Sequence, residues 1–187
     1  LGDVESTAKA YAELKAQEKV DSLEIGGRNL VLNGDFSNGL EHFPIVANSL
    51  DIIEGEAYGG KNGARLIMTV PSTITPRQPL KFVLGVGETF LVQVKVKEIS
   101  GDFSQMTCRL RNKFDPQLHT VKELGDDWKL FIYSYTNNTD NPIIDTDAFG
   151  WYNTTGEFIL SDIKAEKGTK ATDWTPAPED QVSTVEF

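Results

Sequence analysis

Apolar and polar residues alternate with a period of two along most of the chain after residue 26, which is typical of β-strands. The clearest case is residues 89–98, where four apolar residues fall on one face and three polar residues on the other. The apolar residues are Phe90, Val92, Val94 and Val96, and the polar residues are Gln93, Lys95 and Lys97. We expect a strand with one buried and one solvated face.

The same alternation predicts further strands, separated by turn residues such as Asn38-Gly39. They cover residues 29–36, 49–54, 64–70, 104–112, 128–136 and 156–166. Residues 71–79 contain three prolines and suit an edge strand or a connection. Since no helical pattern lies between these strands, the sequence predicts an all-β fold, an antiparallel sandwich or barrel.

Residues 3–23 have a different composition, rich in Ala, Glu and Lys without Gly or Pro, and favour a helix. Its apolar stripe is thin, so we expect it to pack on a sister copy as a coiled coil or on another part of a larger assembly. A linker that is merely helical is the alternative. The predicted organisation is a helical connector over 1–25, a β-domain over 26–180 and a tail over 181–187. The chain starts at Leu1, and we expect it to be a fragment.

The net charge of -10 argues against nucleic acid as a partner, because phosphate binding needs clustered Lys and Arg. No apolar run approaches the roughly 18 residues of a membrane span, so no membrane contact is expected. Cys108 is the single cysteine, and its alternation with polar neighbours predicts a core position.

The sequence contains little that indicates an enzyme. His42 and His119 lie in unrelated settings, and no nucleophile elbow, phosphate-binding glycine loop or zinc motif occurs. The 28 carboxylates leave a glycosidase-like acid and base open. We expect no catalysis.

Two carboxylates are candidate metal ligands. Asp35 follows the turn at Asn33-Gly34, and Asp162 lies in the last predicted strand. If the terminal strands are neighbours, both would meet beside loop carbonyls near residues 61–63, and such oxygen ligands suit Ca²⁺. Alternatively, Asp35 makes a turn hydrogen bond and Asp162 is solvated.

The aromatic residues of 128–135 predict a sugar site, because saccharides stack on exposed rings and hydrogen-bond to Arg and carboxylates. One face of this strand carries Trp128, Leu130 and Ile132, and the other carries Phe131, Tyr133 and Tyr135. If the first set is buried, the tyrosines line an outer surface. The candidate carbohydrate-binding residues are Arg109, Arg111, Tyr133, Tyr135, Trp151 and Tyr152. Core packing is the alternative for each aromatic residue.

The two ends of the β-domain carry a specific similarity. The opening segment is Gly26-Gly27-Arg28-Asn29-Leu30 followed by Asn33-Gly34-Asp35-Phe36, and the closing segment, residues 163–180, reads IKAEKGTKATDWTPAPED. Together they resemble the bracketing segments of carbohydrate-binding-module-like domains in tail and baseplate proteins of phages that infect lactococci and streptococci.

This resemblance implies a jelly-roll β-sandwich of the galactose-binding type, preceded by an α-helix that contacts other tail or baseplate proteins. It implies a location on the virion and binding to host cell-wall polysaccharide during adsorption. It also implies a structural calcium at Asp35 and Asp162. A purely structural packing module of the tail is the alternative function, and a carbohydrate-active enzyme is a third.

Overall fold

The computed structural model describes residues 6–14, 27–45 and 47–181. Residues 6–14 are helical, which confirms the predicted helix over that stretch. The rest of the predicted connector, residues 1–5 and 15–25, and residues 182–187 of the predicted tail lie outside the described residues. The predicted domain boundaries stay a prediction. No helix within the described ranges is long and apolar enough to cross a bilayer.

The described residues form nine strands and three short 3₁₀ helices. The strands are β1 Ser49–Ile53, β2 Gly63–Met68, β3 Thr75–Leu84, β4 Thr89–Ser100, β5 Thr107–Leu110, β6 Gln117–Gly125, β7 Trp128–Thr136, β8 Ile143–Tyr152 and β9 Gly156–Lys167. The 3₁₀ helices are Tyr58–Gly60, Phe103–Gln105 and Pro178–Gln181. A six-stranded sheet has the order β1-β2-β9-β4-β7-β6, and a three-stranded sheet has the order β3-β8-β5. The strand pairs are antiparallel, and the all-β jelly-roll sandwich behind an N-terminal helix is confirmed.

The core lies between the inner faces of the two sheets. The four apolar residues predicted to share one face of β4 are 0% exposed, so that prediction is confirmed. From the opposite sheet, Cys108, Leu110 and Trp151 pack into the same cluster. Burial of this continuous apolar layer is the main source of stability in such a sandwich.

The prediction of a strand over residues 29–36 is wrong, because this segment is a series of turns. Asn33 and Phe36 have φ angles of 54° and 58°, which lie outside the β region that a regular strand requires. Gly34 is required here, since a Cβ atom at this position would lie 2.2 Å from the carbonyl oxygen of Ile163. The segment still runs beside β9, where Ile163 N donates to Gly34 O at 2.8 Å.

The two ends of the β-domain meet, which explains why the opening and closing segments occur as a pair. The Asn29 amide donates to Ile163 O at 3.1 Å and to Thr175 O at 3.0 Å. Trp174 Nε1 donates to the same Ile163 carbonyl at 3.1 Å. These bonds satisfy buried backbone groups that β2 does not reach, because β2 pairs with β9 only through residues 156–160.

The closing segment then crosses the outer face of the six-stranded sheet, and we call residues 168–177 the strap. Lys164, which is 1% exposed, donates to Thr172 Oγ1, Asp173 O and Thr175 Oγ1 at 2.9, 2.8 and 3.2 Å. Gln93 donates to Thr172 O at 2.7 Å and is 6% exposed. The expectation that this face of β4 is solvated is therefore wrong at Gln93, because the strap covers it.

Candidate functional site

Two of the predicted carbohydrate-binding residues lie in the core. Tyr133 and Trp151 are 1% and 0% exposed, and their ring centroids are 6.2 Å apart. The cause is strand register, which pairs Tyr133 with the inward-facing Val92 and Trp151 with the inward-facing Cys108. The expectation that they line an outer groove is wrong. Burial raises the pKa of the Tyr133 phenol well above its ordinary value.

Tyr135 belongs to the six-stranded sheet, unlike Arg109, Arg111 and Tyr152. It is half-buried at the end of β7, where its ring stacks on Phe114 with centroids 4.1 Å apart and an interplanar angle of 9°. Since one face of the ring is already covered, Tyr135 is chiefly a packing residue at the rim of the core.

The structure brings together the other three candidates, Arg109, Arg111 and Tyr152, on the outer face of the three-stranded sheet. Cys108 and Leu110 point inward at 0% exposure, so their neighbours on β5 point outward. The Arg109 guanidinium carbon lies 4.2 Å from the centroid of the Tyr152 ring. This is a cation–π stack on an accessible surface.

Asp115 fixes the position of the Arg109 guanidinium through two hydrogen bonds. Arg109 Nε and Nη2 each donate to a different Asp115 carboxylate oxygen at 2.8 Å. The two hydrogen bonds hold the guanidinium in one orientation. The Arg109 side chain is 37% exposed, so the guanidinium also remains open to solvent. The hydrogen bond to Asp115 raises the pKa of Arg109 above its ordinary value.

A second pair continues the pattern along the sheet. Arg111 Nε donates to Asp147 Oδ1 at 3.2 Å, and this hydrogen bonding lowers the pKa of the Asp147 carboxyl. Beyond it, Lys81 Nζ lies 3.6 Å from Asp145 Oδ2.

Two shallow grooves of about 390 and 400 Å³ adjoin at residues 111–113. We call this surface the arginine face: Arg77, Lys81, Arg109, Arg111, Lys113, Asp115, Asp145, Asp147 and Tyr152.

The sequence-based prediction missed the carboxylates of this surface. Asp115 follows β5 through the tight turn closed by the Lys113 N to Leu110 O bond, and Asp147 faces Arg111 from β8. The available signal was local: Arg109-x-Arg111 precedes Asp115 by a few residues, within reach of a turn. The pairing with Asp147 depends on which strands are neighbours, and no local pattern contains that information.

The calcium site predicted at Asp35 and Asp162 does not fit the residues around it. Asp162, with a side chain 0% exposed, accepts from Lys95 Nζ at 2.7 Å and lies 3.6 Å from Lys61 Nζ. Asp35 Oδ1 accepts from Ser37 N at 3.1 Å within its own turn. A divalent cation on Asp162 would lie beside two ammonium groups that repel it. Within the described ranges, no group of three or more His, Cys, Asp or Glu is placed to hold a metal ion.

Cys108 occupies the core position that its sequence pattern predicts, at 0% exposure. Burial raises the pKa of its thiol well above the ordinary value, and the Asp115 charge adds to this effect. A thiol held in its neutral form is a poor nucleophile.

No protein-family model matches the chain, and no curated protein matches it. Solved structures do match. The CBM22-1 xylan-binding domain from Paenibacillus barcinonensis Xyn10C is 14% identical, with a TM-score of 0.52 over 78% of this chain and 98% of that domain. The CBM22-1–CBM22-2 tandem domain of Xyn10C matches with the same identity and TM-score, over 79% of this chain and 48% of the tandem.

The enzymatically active domain of bacteriophage CBA120 tailspike protein 4 is also similar, at 10% identity and a TM-score of 0.43 over 75% of this chain and 21% of that one. This similarity is too low to support any conclusion about the origin of this chain. At 14% identity, the two matches to Xyn10C show a shared β-sandwich fold.

Proposed function

We propose that this protein is a non-catalytic carbohydrate-binding module whose saccharide site is the arginine face. The observation that carries the proposal is the guanidinium of Arg109, stacked on Tyr152 and held by two hydrogen bonds to Asp115 while 37% exposed. Polar groups that are fixed before the ligand arrives lose little entropy on binding, so such a surface suits weak and specific recognition.

The chemistry of the arginine face matches what a saccharide offers. A guanidinium has five N–H donors, and Asp115 uses two of those of Arg109. The remaining donors and the carboxylates of Asp115 and Asp147 can bond hydroxyl groups, which both donate and accept. The sandwich shared with a xylan-binding domain supports a carbohydrate as ligand.

The finer part of the proposal concerns the biological setting. The module is carried on a phage tail or baseplate and binds host cell-wall polysaccharide during adsorption. Support comes from the opening and closing segments, which resemble those of phage tail domains and which meet here through Asn29 and Trp174. Many copies on one virion would turn weak single-site binding into firm attachment.

A glycan array and binding of fluorescently labelled protein to candidate host strains test this proposal. Tyr152→Ala and Arg109→Ala should weaken binding about tenfold or more, because each removes a central contact. The matched control is Arg65→Ala, since Arg65 is 47% exposed and pairs with Glu157 on the other sheet. Absence of binding to every glycan and every strain would refute the proposal. Turnover of a bound glycan that ends when a carboxylate is replaced would refute its non-catalytic part.

A structural packing module of the tail is the second candidate, and the N-terminal helix favours it. Each described residue of the helix, residues 6–14, is exposed, including Leu14 at 55%. An exposed apolar residue on a helix outside the sandwich suits contact with another protein chain. In this case the protein should co-elute with a tail or baseplate partner without saccharide, and Leu14→Glu should abolish co-elution while glycan binding is unaffected.

A further inference from the structure

The charge of the arginine face differs in sign from that of the whole protein. The residues that line its two grooves, together with neighbouring Arg77, carry five positive and three negative side chains. The chain as a whole has a net charge of -10. The local positive excess attracts anions to this surface, whereas the acidic remainder of the protein repels them.

The hydrogen bonds within the arginine face leave an excess of donors. Arg109 and Arg111 each use Nε and Nη2 for one carboxylate, so each guanidinium retains unused N–H groups directed away from its partner. Lys113 is exposed, lines both grooves and adds further donors. A complementary ligand must therefore supply more acceptors than donors.

The residues that line the two grooves offer a neutral saccharide no exposed aromatic ring. Phe114, which lines one groove, is 7% exposed and packs on Phe90 and Tyr135, and the Arg109 guanidinium covers one face of the nearby Tyr152 ring. Stacking on a bare aromatic face is the chief apolar contact that a neutral sugar makes with a protein. Its absence from this groove shifts recognition from stacking to charge.

We propose that the ligand of the arginine face is an acidic saccharide, recognised through its carboxylate or phosphate groups. This inference rests on the proposed function and adds the chemical class of the ligand. Guanidinium forks bind both oxyanions in two-pronged geometry, so the shared chemistry is an oxyanion attached to a sugar.

Paired probes separate charge from sugar. Calorimetry would compare oligogalacturonate with its neutral methyl ester, and a phosphorylated mannan with the same mannan after dephosphorylation. We expect the acidic member of at least one pair to bind about tenfold more tightly than its neutral partner. That affinity should fall severalfold between about 50 and about 500 mM NaCl, because salt screens exposed charges. The pair that responds identifies the oxyanion.

Variants then locate the interaction. Arg77→Gln and Lys113→Gln should each weaken binding of the acidic probe severalfold, and neither replaces a residue of the Arg109–Tyr152 stack. Arg65→Gln removes the same charge from the other sheet and should leave affinity unchanged.

The outcomes distinguish this inference from the proposed function. Binding of neutral glycans as tight as that of the acidic probes, with Tyr152→Ala still weakening it, overturns the inference and leaves the proposed function standing. An equal loss of affinity in Arg65→Gln also overturns it, because attraction would then depend on overall charge. Absence of binding to acidic and neutral glycans alike overturns both.

Discussion

The outer faces of the two sheets use similar charged residues in opposite ways. On the six-stranded sheet, Lys164 and Glu166 are each 1% exposed and hold the strap. On the three-stranded sheet, the side chains of Arg109 and Asp115 are 37% and 31% exposed, and Arg109 stacks on Tyr152. On one face, the closed face, the charged residues are buried under the strap, and on the other, the open face, they are exposed to solvent.

Burial decides which role an ion pair plays. A charge removed from water must be matched by fixed partners, and breaking such a match leaves an uncompensated charge inside the protein. An exposed pair is solvated whether or not it forms, so its loss costs little stability. The residues available for binding are therefore the ones whose removal the fold tolerates.

The largest expected effect is on stability at the closed face. Lys164→Met should lower the free energy of unfolding by about 3–5 kcal/mol, because it leaves the buried Glu166 charge without its cation and removes three hydrogen bonds to the strap. Arg109→Met is the matched change at the open face and should cost no more than about 1 kcal/mol. Urea unfolding at pH 7 measures both. Similar losses in the two variants would contradict the comparison.

A second test contrasts the inner and outer sides of β5. Cys108 is 0% exposed and the pKa of its thiol is raised by burial, so a thiol reagent at pH 8 should modify it at least about a thousandfold more slowly than in denaturant. Arg109→Cys in a Cys108→Ala background places the thiol on the open face, where it should react at the rate of a free thiol. Rapid labelling of native Cys108 would show that this core opens readily.

A smaller effect concerns titration at the open face. The hydrogen bond from Arg111 lowers the pKa of Asp147, so Arg111→Gln should return that pKa upward toward its ordinary value. Because the folded pKa lies below the unfolded one, the pair contributes stability above the unfolded pKa and loses it as pH falls through the folded value. Carboxyl NMR titration measures the shift. The pKa of Asp102, lowered mainly by its hydrogen bond with Ser104, is the internal control and should not move.

The smallest expected effect is that of calcium. Lys95 and Lys61 already balance Asp162, so neither EDTA nor added Ca²⁺ should change the unfolding temperature. A resident calcium at about 100 times its Kd would stabilise by about 2.7 kcal/mol and raise the unfolding temperature by roughly 5–10 °C. A loss of that size on adding EDTA would restore the calcium prediction. Mg²⁺ at equal ionic strength is the control.

Part of the fold follows from local pattern alone. The alternation on β4 correctly predicts Phe90 and Val94 as core, because strand residues alternate between faces wherever the strand lies. The same rule is ambiguous on β7, where both faces carry large apolar side chains, and only the register with β4 buries Tyr133. Residues 29–36 are mispredicted because Asn33 and Phe36 adopt positive φ angles in turns, one of them closed by the bond from Phe36 N to Asn33 O.

The sequence by itself determined a β-sandwich behind a helix, a core thiol, and two end segments that belong together. Only the tertiary structure decided which charged residues are buried and which are presented. Exposure depends on what the strap and the neighbouring strands cover, and those contacts include residues far apart in the chain, such as Gln93 and Thr172, which are 79 positions apart. Local sequence predicts where a side chain points on its strand, whereas packing determines what it meets there.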